Sequence, residues 1–595
     1  MHYVGIDLGT TNCVASIGNI MADGFFKPEV IYIPQIGENK QLDFGEKLLP
    51  SVLYAEGPKH HYVGKYARNM MGQAGDRVVA WVKRQIGKKD AQPYKIDGQD
   101  YSPEYVSSFY LCVLKKALER ELHVQDLLGA TITVPASFNF QQIAATRVAA
   151  QLAGFQDEKI SFISEPTAAV LDFINKENNR SAASRLVDFS EPKLLLVFDL
   201  GGGTCDVSIL QVQINSSDGS VDIVEMKPSR YSELGGIDFD QALVMAMLND
   251  FLAKNKLDWA GVERDQRQWI TYTFMTCAEK AKLYFSTEIF RMKNSPNNNY
   301  NEEDIDAIVF DYYVDLGEVF PGKSYFLHIT KADYDQIIGP LLHENQTGQK
   351  NMIDPVVSAL RKNNLAKEQI DHVLLVGGMT EFRTVQKVLE NYFDPGNCNK
   401  KILYGALEPM FSVANGAAVY NYFRDKISIK RGESDTSGTL PIGKDSQDPF
   451  KINNVDVVVP ETIFIEGEDG DFVLLPAGIK APFERVIRDK FYVVDQLGMG
   501  ICLWQGENEY DMNPVKLNEG QVIFKTPQKR GTAVNLRVTF DTNREITVKA
   551  WLANDQTEVI DVRVGNATMS KDEIQAMSRR RGQINVPYKP EEAKV

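Results

Sequence analysis

The sequence predicts an α/β N-terminal part followed by a β-sandwich and one short C-terminal helix. Over residues 1–424, short β-rich runs alternate with amphipathic helical patterns. Over residues 455–567 the helical period disappears, and apolar residues alternate with polar ones around short turns. Residues 425–454 are polar and rich in Gly, Ser, Asp and Lys, which suits an exposed linker or insertion. At about 150 residues per domain, a chain of 595 residues has room for these parts.

The first part is predicted to alternate helices and strands. The earliest clear helix begins after Ser102, an N-cap residue followed by Pro103 at the first helical position, and runs to about His123. Further along, the apolar spacing predicts strands at 131–135, 160–163 and 194–200, and helices at 140–153 and 168–174. This alternation is typical of a sheet covered by helices.

The second part is predicted to be β-rich up to its last segment. Alternating apolar residues predict a hairpin with strands at 534–540 and 546–550 around the turn 541–543. Residues 570–573 spell Ser-Lys-Asp-Glu, a capping box that would open a helix reaching about Arg581. Gly582 and Pro587 would end that helix, so segment 568–595 should hold one short helix and a tail.

Charge and composition exclude several classes of protein. The 80 acidic and 65 basic residues leave a formal net charge of −15, which disfavours binding to nucleic acid or to anionic lipid. No apolar run reaches about eighteen residues and no secretion signal is visible, which predicts a cytoplasmic protein without a membrane span. The six cysteines lie far apart, so reduced thiols are expected rather than disulfides or a zinc site.

One phrase, an apolar strand followed by Asp-Leu-Gly and a turn of small residues, occurs twice. The copies are VGIDLGTTN at 4–12 and VFDLGGGTCDV at 197–207. A repeated hairpin of this kind predicts two related lobes with a cleft between them.

Each hairpin has the chemistry of a phosphate site. Its glycines let backbone N–H groups approach an anion closely. The hydroxyl donors beside them are Thr10, Thr11 and Thr204. Asp7, Asp199 and Asp206 would face the phosphates across a divalent ion such as Mg²⁺, because bare carboxylates repel phosphate. A single copy could be an ordinary tight turn, but two copies at strand ends favour phosphate binding.

Three other glycine-containing stretches are less specific. Gly235-Gly236 precedes a predicted helix, and Gly377-Gly378 follows the apolar run 372–376. Such glycines either admit a ligand to the backbone or merely let a strand and a helix pack. Residues 317–324 spell the phosphate-loop pattern GxxxxGKS, but the alternation after it predicts a strand where that loop requires a helix. We therefore predict a hairpin turn there.

Seven motifs together resemble the DnaK-type seventy-kilodalton heat-shock chaperones. In order, they are DLGTTN (7–12), VKRQIG (82–87), SEPTAA (164–169), FDLGGGTCDV (198–207), LGGIDFD (234–240), LVGGMT (375–380) and NGAAV (415–419). Residues 455–460 stand in the place of the family's apolar interdomain linker, and TPQKRGTAVNLRVTFD (526–541) is similar to its peptide-binding β-sandwich. Single motifs are shared with actin and sugar kinases, but the sandwich is not. The resemblance implies an actin-like, two-lobed ATPase domain followed by a peptide-binding domain.

The resemblance assigns roles by position. ATP or ADP, with Mg²⁺ and K⁺, would be bound by Asp7, Gly9, Thr10, Thr11, Asn12, Gly201, Gly202, Gly203, Thr204, Gly235, Gly236, Glu279, Lys282, Ser286, Gly377 and Gly378. Lys83 would hold the γ-phosphate and the attacking water, and the other catalytic residues would be Glu165, Asp199 and Thr204. The metal ligands would be Asp7, Asp199 and Asp206. Without its motif, Lys83 would be interpreted as a solvated helix lysine.

Three positions near the implied nucleotide depart from the family pattern. Leu283 and Glu381 stand where the family has two arginines that enclose the adenine, so cation stacking on the base is lost. Met379 replaces the usual serine beside the glycine pair. The resemblance still assigns Glu279, Lys282 and Ser286 to the ribose and the base edge, which implies nucleotide binding with an altered adenine pocket.

The resemblance places a central peptide pocket at Ile465, Phe491, Val494, Ile501 and Leu503. Alternating apolar residues are also ordinary core, and only a cleft would distinguish the two possibilities. Glu468 stands where the family prefers an apolar residue, which would weaken the pocket.

These observations predict an ATP-driven chaperone that binds unfolded or extended apolar peptide segments, with a lid reduced to about one helix. The further partners implied by the resemblance are J-domain co-chaperones and a nucleotide-exchange factor. A weakly hydrolysing or non-hydrolysing regulator on the same fold is the alternative, which the two lost arginines permit. A small-molecule kinase of the actin-like superfold is a third interpretation, and the C-terminal sandwich speaks against it.

Overall fold

The computed structural model describes residues 2–584 apart from 23, 38–39, 89, 216–219, 230–231, 294–299, 318, 345–348, 398, 431–450, 457, 467–469, 494–497, 507, 509–510, 512–513, 524–525, 542–543, 564–571, 574–575 and 578–582. Within these residues, no helix combines the length and the apolar character needed to cross a membrane. The helices are α1 Lys65–Asn69, α2 Pro103–Glu121, α3 Phe140–Leu152, α4 Glu165–Asn178, α5 Gly236–Asn255, α6 Arg264–Lys293, α7 Glu302–Asp306, α8 Lys331–Leu342, α9 Asp354–Lys362, α10 Arg383–Phe393 and α11 Ser412–Lys430.

The strands fall into an N-terminal and a C-terminal set. Those before residue 400 are β1 Tyr3–Asp7, β2 Asn12–Ile20, β3 Phe26–Val30, β4 Gln35–Ile36, β5 Leu42–Asp43, β6 Leu49–Pro50, β7 Val52–Gly57, β8 His60–Val63, β9 Val78–Ala80, β10 Tyr94–Ile96, β11 Gln99–Tyr101, β12 Ala130–Val134, β13 Ile160–Ser164, β14 Lys193–Leu200, β15 Cys205–Ile214, β16 Ser220–Glu225, β17 Val309–Asp315, β18 Ser324–Thr330 and β19 His372–Val376. Those after it are β20 Lys451–Asp456, β21 Thr462–Ile465, β22 Phe472–Leu475, β23 Phe483–Tyr492, β24 Gly498–Gly506, β25 Val515–Ile523, β26 Ala533–Phe540, β27 Ile546–Leu552, β28 Asp555–Arg563 and β29 Gln583–Ile584.

The N-terminal region is mixed α/β, and its predicted elements are present with small shifts in their bounds. At the start of α2, Ser102 Oγ accepts a hydrogen bond from the Tyr105 backbone N at 3.2 Å, as its N-cap position predicted. Helix α4 begins at Glu165, earlier than the predicted 168, because Ser164 caps it and Pro166 is tolerated in the first helical turn. This early start puts Glu165 at the junction of a strand and a helix.

Two sheets of this region share one topology. In the first, β1 forms an antiparallel hairpin with β2 and pairs in parallel with β12. In the second, β14 forms an antiparallel hairpin with β15 and pairs in parallel with β19. The repeated Asp-Leu-Gly phrase therefore ends the corresponding strand, β1 or β14, in both sheets.

The stretch that spells a phosphate loop is a hairpin turn, as predicted. Strands β17 and β18 pair antiparallel from Val309↔Thr330 to Asp315↔Ser324. The Lys-Ser end of the pattern therefore opens a strand and not a helix, which excludes a phosphate loop there.

The C-terminal β region, residues 458–563, contains two four-stranded sheets, β22-β21-β24-β25 and β23-β26-β27-β28. Ile463 and Leu503 from the first sheet and Leu536 and Val548 from the second belong to one buried core. The predicted hairpin is present as β26 and β27. The two sheets therefore enclose a common apolar interior.

Both ends of the predicted polar connection 425–454 are regular structure. Helix α11 continues to Lys430, and β20 begins at Lys451, while residues 431–450 lie outside the described part. Strand β20 pairs in parallel with β16, which would otherwise be an edge strand with unpaired backbone groups. The polar composition did not predict this strand, because the pairing depends on a partner that is distant in the chain.

The C-terminal segment contacts the N-terminal region. Asp572, Glu573, Ala576 and Met577 are helical, and Met577 packs against the core that surrounds α2. Beyond Gly582, β29 pairs in parallel with β8. The sequence predicted only a broken tail after the helix, so this added strand is a finding of the structure.

Candidate active site

The two repeated hairpins face each other at close range. A Cβ atom added at Gly202 would lie 1.7 Å from Thr11 Oγ1, and one added at Gly203 would lie 2.3 Å from Thr10 Cγ2. Only glycine allows the two turns to come so near. A cavity of about 90 Å³ lies between them, and the predicted site residues that line it are Asp7, Gly9, Thr10, Thr11, Asn12, Lys83, Glu165, Asp199, Gly201, Gly202, Gly203, Thr204, Gly377 and Gly378.

Lys83 is buried in this cavity wall and forms an ion pair with Glu165. It lies in the short 3-10 helix Val82–Arg84, and its Nζ donates to Glu165 Oε1. Burial opposes the charge on Lys83, but Glu165 and Asp7 outweigh it and hold the pKa of Lys83 above its usual value. The interpretation of Lys83 as a solvated helix lysine is therefore wrong.

The three aspartates predicted as metal ligands are also buried. Asp199 and Asp206 stand opposite each other in the β14–β15 hairpin. Burial raises the pKa of Asp7 and of Asp206 to about 7, and burial together with Glu165 and Asp206 raises the pKa of Asp199 well above its usual value. Asp7, Glu165 and Asp199 line the cavity and Asp206 lies behind Asp199 on the next strand, and this concentration of acidic groups favours a bound cation.

Several polar atoms of the two hairpins lack a protein partner among the described residues, although Asp206 itself does not line the cavity. They are Thr10 Oγ1, Thr11 Oγ1 and Asp206 Oδ2, whereas Ser137 Oγ donates to the other Asp206 oxygen at 2.5 Å. Buried polar groups are normally hydrogen-bonded, so these atoms fit a ligand that supplies acceptors for the hydroxyls and a cation for the carboxylate. No group of three or more His, Cys, Asp or Glu side chains in the described residues could hold a metal by itself. Mg²⁺ with few protein ligands, several waters and phosphate oxygens suits this set.

A wider cavity of about 1030 Å³ continues from the phosphate region towards α6. Gly236, Glu279, Lys282, Ser286 and the two departures Leu283 and Glu381 line it. Lys282 Nζ donates to Asp240 Oδ2 at 2.6 Å, and Arg68 of α1 pairs with Glu279 across the cavity. Arg68 and the lining aromatic residues Trp81 and Trp269 belong to none of the motifs, so no sequence pattern indicated them.

The remaining glycine positions mainly permit close backbone approach. A Cβ added at Gly235 would lie 2.4 Å from the backbone N of Gly203. Gly377 has φ +81°, which favours glycine, and a Cβ there would lie 2.4 Å from Leu200 O. Gly235 lines neither of the two cavities, whereas its neighbour Gly236 lines the larger one.

Comparison with known proteins identifies the family of this chain. The family model described as "Hsp70 protein" matches residues 3–423, which is more than half of the chain. The chain belongs to the Hsp70 family. The protein named Chaperone protein DnaK from Thermotoga neapolitana is 29% identical over 96% of this chain and 82% of its own length. Its namesake from Picrophilus torridus is 28% identical over 97% of this chain and 80% of its own length.

In this Hsp70, Leu283 and Glu381 line the larger cavity in place of the two arginines of the family pattern. Leu283 is 56% exposed on α6, and burial raises the pKa of Glu381, which lines the same cavity. Neither residue can stack a cation on a base. Met379 lies beside Gly236, so apolar contact replaces part of the polar pocket that the family pattern implies.

The residues of this Hsp70 predicted to bind peptide lie mostly inside the C-terminal β region. Ile465, Ile501 and Leu503 are buried in its core. Phe491 is half-buried, and its ring contacts that of Phe472 with centroids 5.4 Å apart. Val494 and Glu468 lie outside the described residues.

Proposed function

We propose that this Hsp70 is an ATP-dependent molecular chaperone whose N-terminal region is an actin-like ATPase over 1–424. The observation that carries the proposal is the convergence of both glycine hairpins, Lys83 and the acidic residues on one cavity. Its C-terminal residues 455–567 would form the peptide-binding domain, joined by 425–454 and followed by a reduced lid at 568–595. A cytoplasmic location also remains a prediction.

The site residues suit phosphoryl transfer to water. The glycine N–H groups of both turns would bind phosphate oxygens, and Lys83 Nζ would place a positive charge beside the terminal phosphate. Glu165 would orient Lys83, and a carboxylate oxygen of Asp199 would accept a hydrogen bond from the attacking water. Mg²⁺, when bound, would neutralise charge between the phosphate oxygens. K⁺ would be an additional cation of the same site.

The peptide partner would be an unfolded or extended apolar segment that binds beside Phe491. Ile465, Ile501 and Leu503 would form the floor beneath it. J-domain co-chaperones and a nucleotide-exchange factor are the other proposed partners.

Steady-state phosphate release, measured with and without an apolar heptapeptide, tests the proposal. We expect slow hydrolysis that changes when peptide binds, because peptide and nucleotide would favour different arrangements of the two regions. Fluorescence anisotropy with the labelled heptapeptide tests the pocket, with Phe491→Ala expected to weaken binding and Tyr492→Ala, exposed on the next position of β23, as the matched control.

The second candidate is a weakly hydrolysing or non-hydrolysing regulator on the same fold. Leu283 and Glu381 favour it, because they remove stacking on the base. Saturable nucleotide binding without phosphate release would support this candidate. Family membership and the C-terminal β region do not favour the kinase interpretation.

A further inference from the structure

Three tyrosines of the N-terminal region form an aromatic cluster. Tyr54 of β7 stands opposite Tyr62 of β8, and their ring centroids lie 6.0 Å apart. The ring centroid of Tyr66, on α1, lies 4.7 Å from that of Tyr62 and 6.2 Å from that of Tyr54. Because two paired strands and a helix carry the three rings, the arrangement of the rings does not depend on a loop.

A cationic side chain of the same chain lies against this cluster. Lys40 Nζ is 5.6 Å from the ring centroid of Tyr62 and 5.3 Å from that of Tyr66. Glu56 of β7 accepts a hydrogen bond from Lys40 Nζ at 3.1 Å and one from the Tyr62 hydroxyl at 3.4 Å. Aromatic faces attract a cation at such distances. Tyr54, Tyr62, Tyr66 and Glu56 thus form a site for a cation, which we call the tyrosine cage.

The charges of the tyrosine cage suit a cation. Hydrogen bonds to Glu56 and Tyr66 raise the pKa of Lys40, so its ammonium group stays charged. Burial and the charge of Glu56 raise the pKa of Tyr54 and of Tyr62, so both phenols stay neutral. The cage therefore offers neutral rings and one carboxylate to a positive charge.

Lys40 itself is held loosely in the cage. It lies in the turn between β4 and β5, and its side chain is 53% exposed. Its φ of +55° is one that side chains other than glycine seldom adopt. An exposed ion pair contributes little, and this backbone strain would be relieved if Lys40 left. Another cation could therefore replace Lys40 in the cage.

The walls of the cage favour a methylated cation over a primary ammonium group. Ile36, Met70 and Met71 pack against the same cluster, so apolar contacts surround the rings. A primary ammonium group is strongly hydrated, which opposes its transfer to such a site. Quaternary ammonium groups keep the charge and add methyl groups, and aromatic cages recognise them for this reason.

We propose that the tyrosine cage is a binding site for quaternary ammonium groups, carried by a small molecule or by a methylated lysine, and that Lys40 is its internal competitor. The cage residues belong to none of the seven motifs, so no sequence pattern indicated this site. The inference goes beyond the proposed function, because such binding requires neither nucleotide nor the proposed peptide pocket.

A second lysine of the same region provides a matched control. Lys47 Nζ lies 5.2 Å from the ring centroid of Tyr32 and 5.8 Å from that of Phe411. Tyr32 is 57% exposed. Lys47→Ala removes the same charge as Lys40→Ala but leaves the tyrosine cage intact. It therefore separates a specific effect of opening the cage from a general effect of net charge.

Saturation-transfer NMR of the choline methyl protons, titrated on the full chain at constant ionic strength, tests the proposal. Lys40→Ala should bind choline about tenfold more tightly than the wild type, because a tethered competitor acts at a high effective concentration. Lys47→Ala should match the wild type. Adding Tyr62→Leu or Glu56→Gln to Lys40→Ala should reverse the gain. The uncharged probe 3,3-dimethylbutan-1-ol, which has the shape of choline, should bind Lys40→Ala about tenfold less tightly than choline does.

A polar peptide with one trimethyllysine, and the same peptide with unmodified lysine, distinguish the two sources of the ligand. Tighter binding of the methylated peptide than of choline to Lys40→Ala would identify a modified polypeptide as the ligand. Tighter binding of choline than of the methylated peptide would identify a small molecule.

Three outcomes would overturn the inference. They are choline binding that is no tighter in Lys40→Ala than in the wild type, an equal gain in Lys47→Ala, and binding of the uncharged alcohol that equals that of choline. If Tyr62→Leu fails to fold, Glu56→Gln still tests the cage, since the Glu56 side chain is 39% exposed and its loss leaves the aromatic cluster in place.

Discussion

The cavity between the two glycine hairpins and the interior of the C-terminal β region are built on opposite principles. The cavity is lined by buried charges, and several of its polar atoms lack protein partners among the described residues. The interior of the β region is apolar, with Ile501, Leu503, Leu536 and Val548 each 0% exposed. Incomplete hydrogen bonding indicates a ligand site, because such groups are unfavourable when nothing binds them. A close-packed apolar interior stabilises the fold and leaves no space for a ligand, so a ligand could bind only at the surface of this region.

The largest expected effect tests the proposed catalytic role of Lys83 in the cavity between the hairpins. Lys83→Ala should reduce hydrolysis by about 10³-fold or more, because a cation beside the transferred phosphoryl group is worth that much. Nucleotide binding should change less than about tenfold, since the hairpin N–H groups supply most ground-state contacts. Isothermal titration and single-turnover assays separate the two quantities. Unchanged turnover would remove Lys83 from the mechanism.

The next effect tests whether Leu503 is core. Leu503→Ala should lower the free energy of unfolding of the C-terminal β region by about 2–5 kcal/mol, because it leaves a cavity in a packed interior. Val515→Ala, at a 37% exposed position of the same sheet, should change it by less than about 0.5 kcal/mol. Denaturant titration measures both. If Leu503→Ala weakens peptide binding and leaves stability unaltered, Leu503 lines a pocket and the contrast between the two regions fails.

A smaller effect sharpens the description of the base region. The Leu283→Arg, Glu381→Arg double substitution should tighten ATP binding by about 1–3 kcal/mol, because two guanidinium groups could stack on the base. The single substitutions should give intermediate affinities. Titration calorimetry with ATP and with GTP compares affinity and base selectivity. Flat affinity would mean that the base lies elsewhere in the 1030 Å³ cavity.

The smallest effect concerns pH. Burial raises the pKa of Asp7 and Asp206 to about 7, so both are mostly protonated at pH 6 and mostly ionised at pH 8. A proton and a cation compete for the same oxygens, so the apparent affinity for Mg²⁺ should rise by up to about tenfold over this range. The nucleotide titrates in the same range, and Asp206→Asn separates the two: its profile should be flatter. An identical profile in that variant would assign the pH dependence to the nucleotide alone.

The sequence by itself determined the α/β order of the first part, the Asp-Leu-Gly hairpins and the rejection of the false phosphate loop at 317–324. These features are local, because a strand end, a glycine turn and a helix cap depend on a few neighbouring residues. The family motifs added Lys83, whose own surroundings in the sequence indicated only a solvated helix position. Because each Asp-Leu-Gly phrase follows an apolar strand, Asp7 and Asp199 could be placed at the ends of equivalent strands in the two sheets.

Only the tertiary structure decided which distant groups meet. The pairing of β20 with β16, the addition of β29 to β8 and the burial of Arg544 against Glu225 all join segments far apart in the chain. The same holds for Ile501 and Leu503: their alternation alone fitted both a pocket and a core, and only the structure shows that they are buried in the interior between the two sheets. Backbone edges and apolar faces are not specific for one partner, so their pairing is settled by the packing of the whole molecule.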